Sequence, residues 1–183
     1  MLELEFDGLF RASTVSPTAG IMCVGWLVRC DGALLAKGYA VIARGSDATS
    51  NIAEYLAMTE GLQALIDMRV GDTPIRVIGD ARVVLDQMDG ICKVSAERLV
   101  PIFRRARKLA RKLNVVDWHW VPRRMNRAAD MLSRRALRDF RSDRKEFNLA
   151  WELIARDHRA NRKRLRPLKG VDLYNNIPLA IDG

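Results

Sequence analysis

The sequence predicts a mixed α/β domain whose sheet opens with three antiparallel strands. Three observations carry this. Period-two apolar patterning opens the chain, an Asp31-Gly32 hairpin signal joins the next two apolar runs, and beyond residue 50 helical segments alternate with short strand-like runs.

Each element follows from its own residues. Leu2-Glu3-Leu4-Glu5-Phe6-Asp7 alternates apolar with acidic, which predicts a strand ending at Asp7. Ser13, Thr14, Ser16, Pro17, Thr18 and Gly20 predict a loop over 9–20. Strands follow at 21–29 and 33–43, then a polar loop over 45–51. Ser50 or Asn51 is the expected cap of a helix running to about residue 68, because Ile52, Tyr55, Leu56, Met58, Leu62, Leu65 and Ile66 keep helical phase. Gly71-Asp72-Thr73-Pro74 breaks it. A short strand at 75–79 carries Asp80 at its carboxyl end, and a short helix over 81–88 stops near Gly90. A longer helix over 95–113 shows a polar face of Arg104, Arg105, Arg107, Lys108, Arg111 and Lys112. A last strand at 115–121 precedes a helix over 126–140. The order βββ-α-β-α-α-β-α gives a five-stranded mixed sheet flanked by helices, and residues 1–140 are expected to form one domain.

Residues 141–183 form a separate, basic and largely helical extension in this reading, helical to about residue 165 and irregular beyond Pro167. Arg156, Arg159, Arg162, Lys163, Arg164 and Arg166 suit phosphate binding, whereas Trp151, Leu153 and Ile154 suit docking on the domain. Both readings stand.

Bulk properties narrow the function. The chain has 183 residues, 49% of them hydrophobic, with a formal net charge of +9 and a pI near 10.0. A basic surplus of that size favours a polyanionic partner. Cys23, Cys30 and Cys92 show no CxxC spacing; Cys23 and Cys30 are expected as buried thiols. With only His119 and His158 available, a zinc site is not expected. The first residues lack signal-peptide character and no apolar run is long enough to span a membrane, so a cytoplasmic protein without membrane partners is expected. Neither GxGxxG nor GxxxxGK[ST] occurs, which argues against dinucleotide and P-loop enzymes.

Four carboxylates stand out by position: Asp7 at a strand end, Glu54 in the first turn of a helix, Asp80 at a strand end and Asp130 in the opening turns of a helix. Strand ends and helix starts of an α/β sheet build one cleft, so the four are expected to converge. Singly, each has an ordinary reading as a turn, cap, dipole or ion-pair residue. Together, in a basic protein, they call for a cation, and hard oxygen ligands suit Mg²⁺ or Mn²⁺.

The motifs Phe6-Asp7-Gly8, Asn51-Ile52-Ala53-Glu54-Tyr55, Gly79-Asp80-Ala81 and Val121-Pro122-Arg123-Arg124-Met125-Asn126-Arg127-Ala128-Ala129-Asp130 occur in that order. Over about residues 2–140 the chain resembles the type 1 ribonuclease H family, in its compact branch. The resemblance implies an RNase H-like fold and an endoribonuclease that cleaves the RNA strand of RNA–DNA hybrids, leaving 5′-phosphate and 3′-hydroxyl ends. It implies two metal ions held by Asp7, Glu54, Asp80 and Asp130. It places Asn51 against an RNA 2′-hydroxyl, beside the alternative that Asn51 caps its helix. Arg123, Arg124 and Asn126 are assigned to the nucleic acid, with Arg104, Arg105 and Lys108 as a phosphate-binding face. The chain departs from the family at Ala81, where serine is usual, at Ser50, where asparagine is common, and at Leu9 and Phe10, where small residues are common. Arg123 and Arg124 stand where many members carry histidine, and only Asp89-Gly90-Ile91-Cys92-Lys93-Val94 occupies the place of the basic protrusion. Two other readings share the fold. One is a nucleic-acid-binding protein with weak or lost nuclease activity. The other is a 3′–5′ exonuclease, disfavoured because Asp-x-Glu on the first strand is replaced here by Glu5-Phe6-Asp7.

Overall fold

Leu2, Leu4 and Phe6 are buried while Glu3 and Glu5 between them are not, the alternation that a half-covered strand demands. The computed structural model describes residues 1–46, 48–160 and 165–167. Its elements are β1 (Leu2–Ala12), β2 (Ala19–Cys30), β3 (Ala33–Ser46), α1 (Ser50–Asp67), β4 (Ile75–Gly79), α2 (Arg82–Asp89), α3 (Val100–Ala110), β5 (Val115–Trp120), α4 (Arg127–Ser142), α5 (Arg144–Arg159) and β6 (Leu165–Pro167). The five expected strands form one mixed sheet, and the short β6 extends it in the order β5-β4-β1-β2-β3-β6. β1–β2–β3 is the antiparallel opening, and β4 and β5 join in parallel. Asp31 and Gly32 turn the hairpin with φ of 49° and 83°, as the Asp-Gly signal requires.

Three boundaries differ from the sequence reading. β1 runs on to Ala12, because Gly8–Ala12 stay paired with β2 as far as Ala12↔Gly20. Asp7 therefore lies mid-strand. It is nonetheless two residues past Glu5↔Ile78, the last pair that β1 makes with β4. Thr49, not Ser50 or Asn51, caps α1, its hydroxyl accepting from the Ile52 N–H at 3.3 Å. Glu54 consequently sits just past the first turn. The long helix expected from residue 95 begins at Val100, after a 3-10 turn at Glu97–Leu99, because Pro101 fits only the first turn. Arg162, Lys163, Arg164 and the side chain of Arg166 lie outside the described residues. No described helix is long and apolar enough to cross a membrane.

Two cores lie on the two faces of the sheet. The larger gathers Leu4, Phe6, Val24 and Trp26 against Ile52, Tyr55, Leu62 and Leu65 of α1. The smaller joins Ile21, Cys23 and Val41 of the sheet to Ala136 of α4 and to Ala150 and Ile154 of α5. Edge-to-face contacts from Phe140 to Phe147 and from Phe147 to Trp151 extend it. Cys23 is buried as expected, but Cys30 is only half-buried at the hairpin and Cys92 is exposed; all are free thiols.

α5 thus supplies one wall of a core. Ile154 is fully buried, so Ile154→Ala should destabilise the chain by about 2–4 kcal/mol, read as a lower urea midpoint with an unchanged m-value.

Candidate active site

The site is built where two helices touch the sheet on opposite faces. A Cβ on Gly8 would lie 2.2 Å from the Ala53 carbonyl carbon and from the Glu54 nitrogen, so only glycine lets α1 lie this close to β1. The Gly8 N–H then donates to Glu54 Oε2 at 3.0 Å. Gly25, paired with Asp7 across β1–β2, does the same for α4: a Cβ there would lie 2.5 Å from the Ser133 nitrogen. Ser133, fully buried on α4, donates its hydroxyl to Asp7 Oδ2.

Asp80 enters from the end of β4. Its carbonyl accepts from Trp120 Nε1 at 3.1 Å, and its Oδ1 accepts from Asn126 Nδ2 at 2.9 Å. The same Asn126 amide reaches the Phe6 carbonyl at 2.8 Å, tying β1 to β4. Asp7, Glu54 and Asp80 each bring a carboxylate oxygen to within 4.8 Å of the others. Asp130 stands beside this group but is held elsewhere, with Arg123 at 2.5 Å and Arg134 at 2.6 Å.

The electrostatics separate the carboxylates. Burial, followed by the nearby Asp80 and Asp130 charges, outweighs the Ser133 hydrogen bond and raises the Asp7 carboxyl to about 6. Burial also pushes Glu54 well above the ordinary carboxylate range; repulsion from Asp7 and Asp80 adds to it, against the Gly8 hydrogen bond. Burial acts in the same direction on Asp130, but hydrogen bonds from Arg134 and Arg123 overcome it and hold that group low. Three converging carboxylates, two of them strained against ionisation, form an all-oxygen donor set suited to a hard divalent cation.

The other sequence-predicted residues are scattered. Asn51 is exposed in the first turn of α1, relieved of capping by Thr49. Arg123 and Arg124 are exposed in a 3-10 turn before α4. Asn126, expected at the nucleic acid, is instead fully buried and spends its amide on Phe6 and Asp80, so it positions rather than contacts. Arg104, Arg105 and Lys108 are exposed on α3, with Arg105 drawn to Glu60 at 3.9 Å. Ser133 and Gly25 were not singled out in the sequence. Their signals were present: Ser133 stands one turn after Asp130, and a lone glycine inside an apolar strand marks a close backbone approach.

Known proteins resemble this chain in sequence and in fold. A family model described as reverse transcriptase-like matches residues 5–136. The bifunctional protein Rv2228c of Mycobacterium tuberculosis is 33% identical over 134 residues, covering 73% of this chain and 35% of the relative. Ribonuclease HI of Halobacterium salinarum is 37% identical over 139 residues, covering 73% and 63%. The chain therefore spans about a third of the mycobacterial relative and under two thirds of the archaeal one. The solved N-terminal RNase H domain of Rv2228c superimposes with a TM-score of 0.66 at 30% identity, over 75% of this chain and 94% of that one. RNase H1 of Halobacterium salinarum gives a TM-score of 0.65 at 32% identity, over 75% and 98%.

The raised Asp7 carboxyl has a measurable cost. An acid whose folded value lies above its unfolded value loses stability as pH rises between the two, here from about 3.8 to about 6. Asp7→Asn removes the charge and leaves an oxygen for Ser133. In metal-free protein it should raise the melting temperature at pH 8, by the equivalent of up to about 3 kcal/mol, and change little at pH 4. An equal shift at both pH values would contradict the electrostatic origin.

Proposed function

The chain belongs to the ribonuclease HI-like family, and from that membership we propose that it is an endoribonuclease cleaving the RNA strand of RNA–DNA hybrids to 5′-phosphate and 3′-hydroxyl ends. The observation that carries this reading is the convergence of Asp7, Glu54 and Asp80 at a cost in buried charge. Carboxylates raised by burial and by one another are what a divalent cation would relieve. Two Mg²⁺ ions, or Mn²⁺, held by Asp7, Glu54 and Asp80 with Asp130 as the fourth carboxylate, would supply Lewis-acid activation of water and neutralise charge at the leaving 3′ oxygen.

The rest is work for the chain's own side chains. The Gly8 N–H, the Ser133 hydroxyl and the Asn126 amide each hold one carboxylate, so Glu54, Asp7 and Asp80 keep their places without a ligand. Arg123, exposed beside Asp130, places positive charge where the scissile phosphate would approach. Asn51 is free of capping and exposed, which supports contact with an RNA 2′-hydroxyl and hence a preference for RNA. Glu5, the carboxylate an exonuclease reading would need, is tied to Arg29 at 3.0 Å.

Asp80→Asn keeps an acceptor for Asn126 and removes one ligand charge. It should lower hybrid cleavage by roughly 100-fold or more while leaving the circular dichroism spectrum unchanged. Full activity in that variant would end the assignment. Labelled hybrid should be cut in Mg²⁺ and spared in EDTA, with double-stranded RNA and DNA cut poorly. Asn51→Ala should reduce kcat/KM on hybrid by roughly tenfold, the value of one hydrogen bond.

A further inference from the structure

Beyond the acidic cluster, α4 carries a basic face that the proposed reaction does not use. Arg127, Arg134, Arg138 and Arg141 follow one another at spacings of seven, four and three residues, so they share one stripe of the helix. All four are exposed. The stripe is about 21 Å long at the helical rise. It starts at the active site, since Arg134 is bonded to Asp130.

Alongside the stripe, between α4 and the β2–β3 hairpin, lies a cavity of about 500 Å³. Its apolar lining is Leu27, Leu34, Leu132 and Met131, and Met131 is 69% exposed. Its cationic lining includes Lys37, Arg134, Arg135 and Arg138. Arg135 is held over the Tyr39 ring at 4.9 Å. Asp139 serves both Arg135, at 3.4 Å, and Arg138, at 3.9 Å, so the rim keeps net positive charge.

An apolar floor inside a cationic rim offers a single strand what it needs, apolar surface for its unpaired bases, aliphatic here in place of the usual aromatic rings, and cations for its phosphates. A duplex satisfies only the second half, because its bases face inward. An acidic peptide satisfies the charge but has no reason to lie on a stripe that begins at a phosphodiester-cleaving site. We propose that this groove binds a single-stranded polynucleotide segment, an unpaired stretch of RNA or DNA adjoining the hybrid. The proposal extends the nuclease reading but is measured without cleavage.

The test is anisotropy of labelled single-stranded DNA, single-stranded RNA and blunt RNA–DNA hybrid, all in EDTA. The comparison is between the unmodified chain and Lys37→Glu/Arg138→Glu, two exposed residues outside the acidic cluster. Single-strand Kd should rise by roughly tenfold or more, and the log–log salt slope should fall by roughly 0.7 for each phosphate that the altered side chains cease to neutralise. Blunt-hybrid Kd should stay within about twofold. DNA and RNA arms affected alike identify the shared backbone and bases as the ligand; one arm alone affected identifies that strand. Leu34→Ser/Met131→Ser keeps every charge and should also weaken single-strand binding. In the unmodified chain, 5-iodouracil oligonucleotides should crosslink to peptides spanning 27–39 or 128–138.

Unchanged single-strand Kd, equal weakening of blunt hybrid, or crosslinks confined to other peptides would each overturn the proposal. So would displacement of the oligonucleotide by polyglutamate of equal charge, which would assign the groove to an acidic protein. An absence of hybrid cleavage by the unmodified chain would instead remove the nuclease reading and leave these binding results standing.

Discussion

Backbone contact between helix and sheet at Gly8 and Gly25 is the constraint on which the rest of the site depends. The two glycines lie on neighbouring strands, where Gly25 is paired with Asp7 and Gly8 follows it. Through Gly8, α1 comes close enough for Glu54 to accept a hydrogen bond from β1 itself. Through Gly25, α4 comes close enough for Ser133 to reach Asp7. A methyl group at either position would push a helix off the sheet and separate carboxylates that must lie within a few ångströms. Asn126 closes the third side by joining the Phe6 carbonyl to Asp80. Packing on both faces of the sheet is therefore also what assembles the chemistry.

That assembly sets stability against function. Asp7 is buried and Glu54 half-buried, and the two repel each other and are raised toward neutrality. Asp130 escapes because two arginines neutralise it. Three of the four carboxylates converge, whereas Asp130 is turned to Arg123 and Arg134, which would have to yield it for it to join as the fourth ligand. Arg123 thus stands at the junction between the acidic interior and the basic exterior.

The positive charge that surrounds the site is not one patch. α3 bears Arg104, Arg105 and Lys108 on the side of α1, and α4 bears its arginine stripe on the opposite face of the sheet. α5, which the sequence left open between phosphate binding and docking, docks on the domain: Ala150 and Ile154 are buried in the smaller core, whereas Arg156 and Arg159 are exposed. The family match stops at residue 136, yet the core of the chain does not.

The sequence by itself determined the order and type of the elements, because hydrophobic period is a local property: the alternation over 2–6, the Asp31-Gly32 turn and the helical phase over 52–66 need no partner to be read. It also singled out Asp7, Glu54 and Asp80, which the fold brings together, and Asp130, which the fold leaves beside them paired with Arg123 and Arg134. What only the tertiary structure decided was how those residues are held. The extension of β1 past Asp7 came from pairing with β2. Asn126 proved to be a buried strut because Phe6, 120 residues earlier, offers its carbonyl there. Thr49 took the cap that Ser50 and Asn51 were equally fit to provide, and so left Asn51 exposed. Such outcomes depend on distances between residues far apart in the chain, and periodicity carries no information about them.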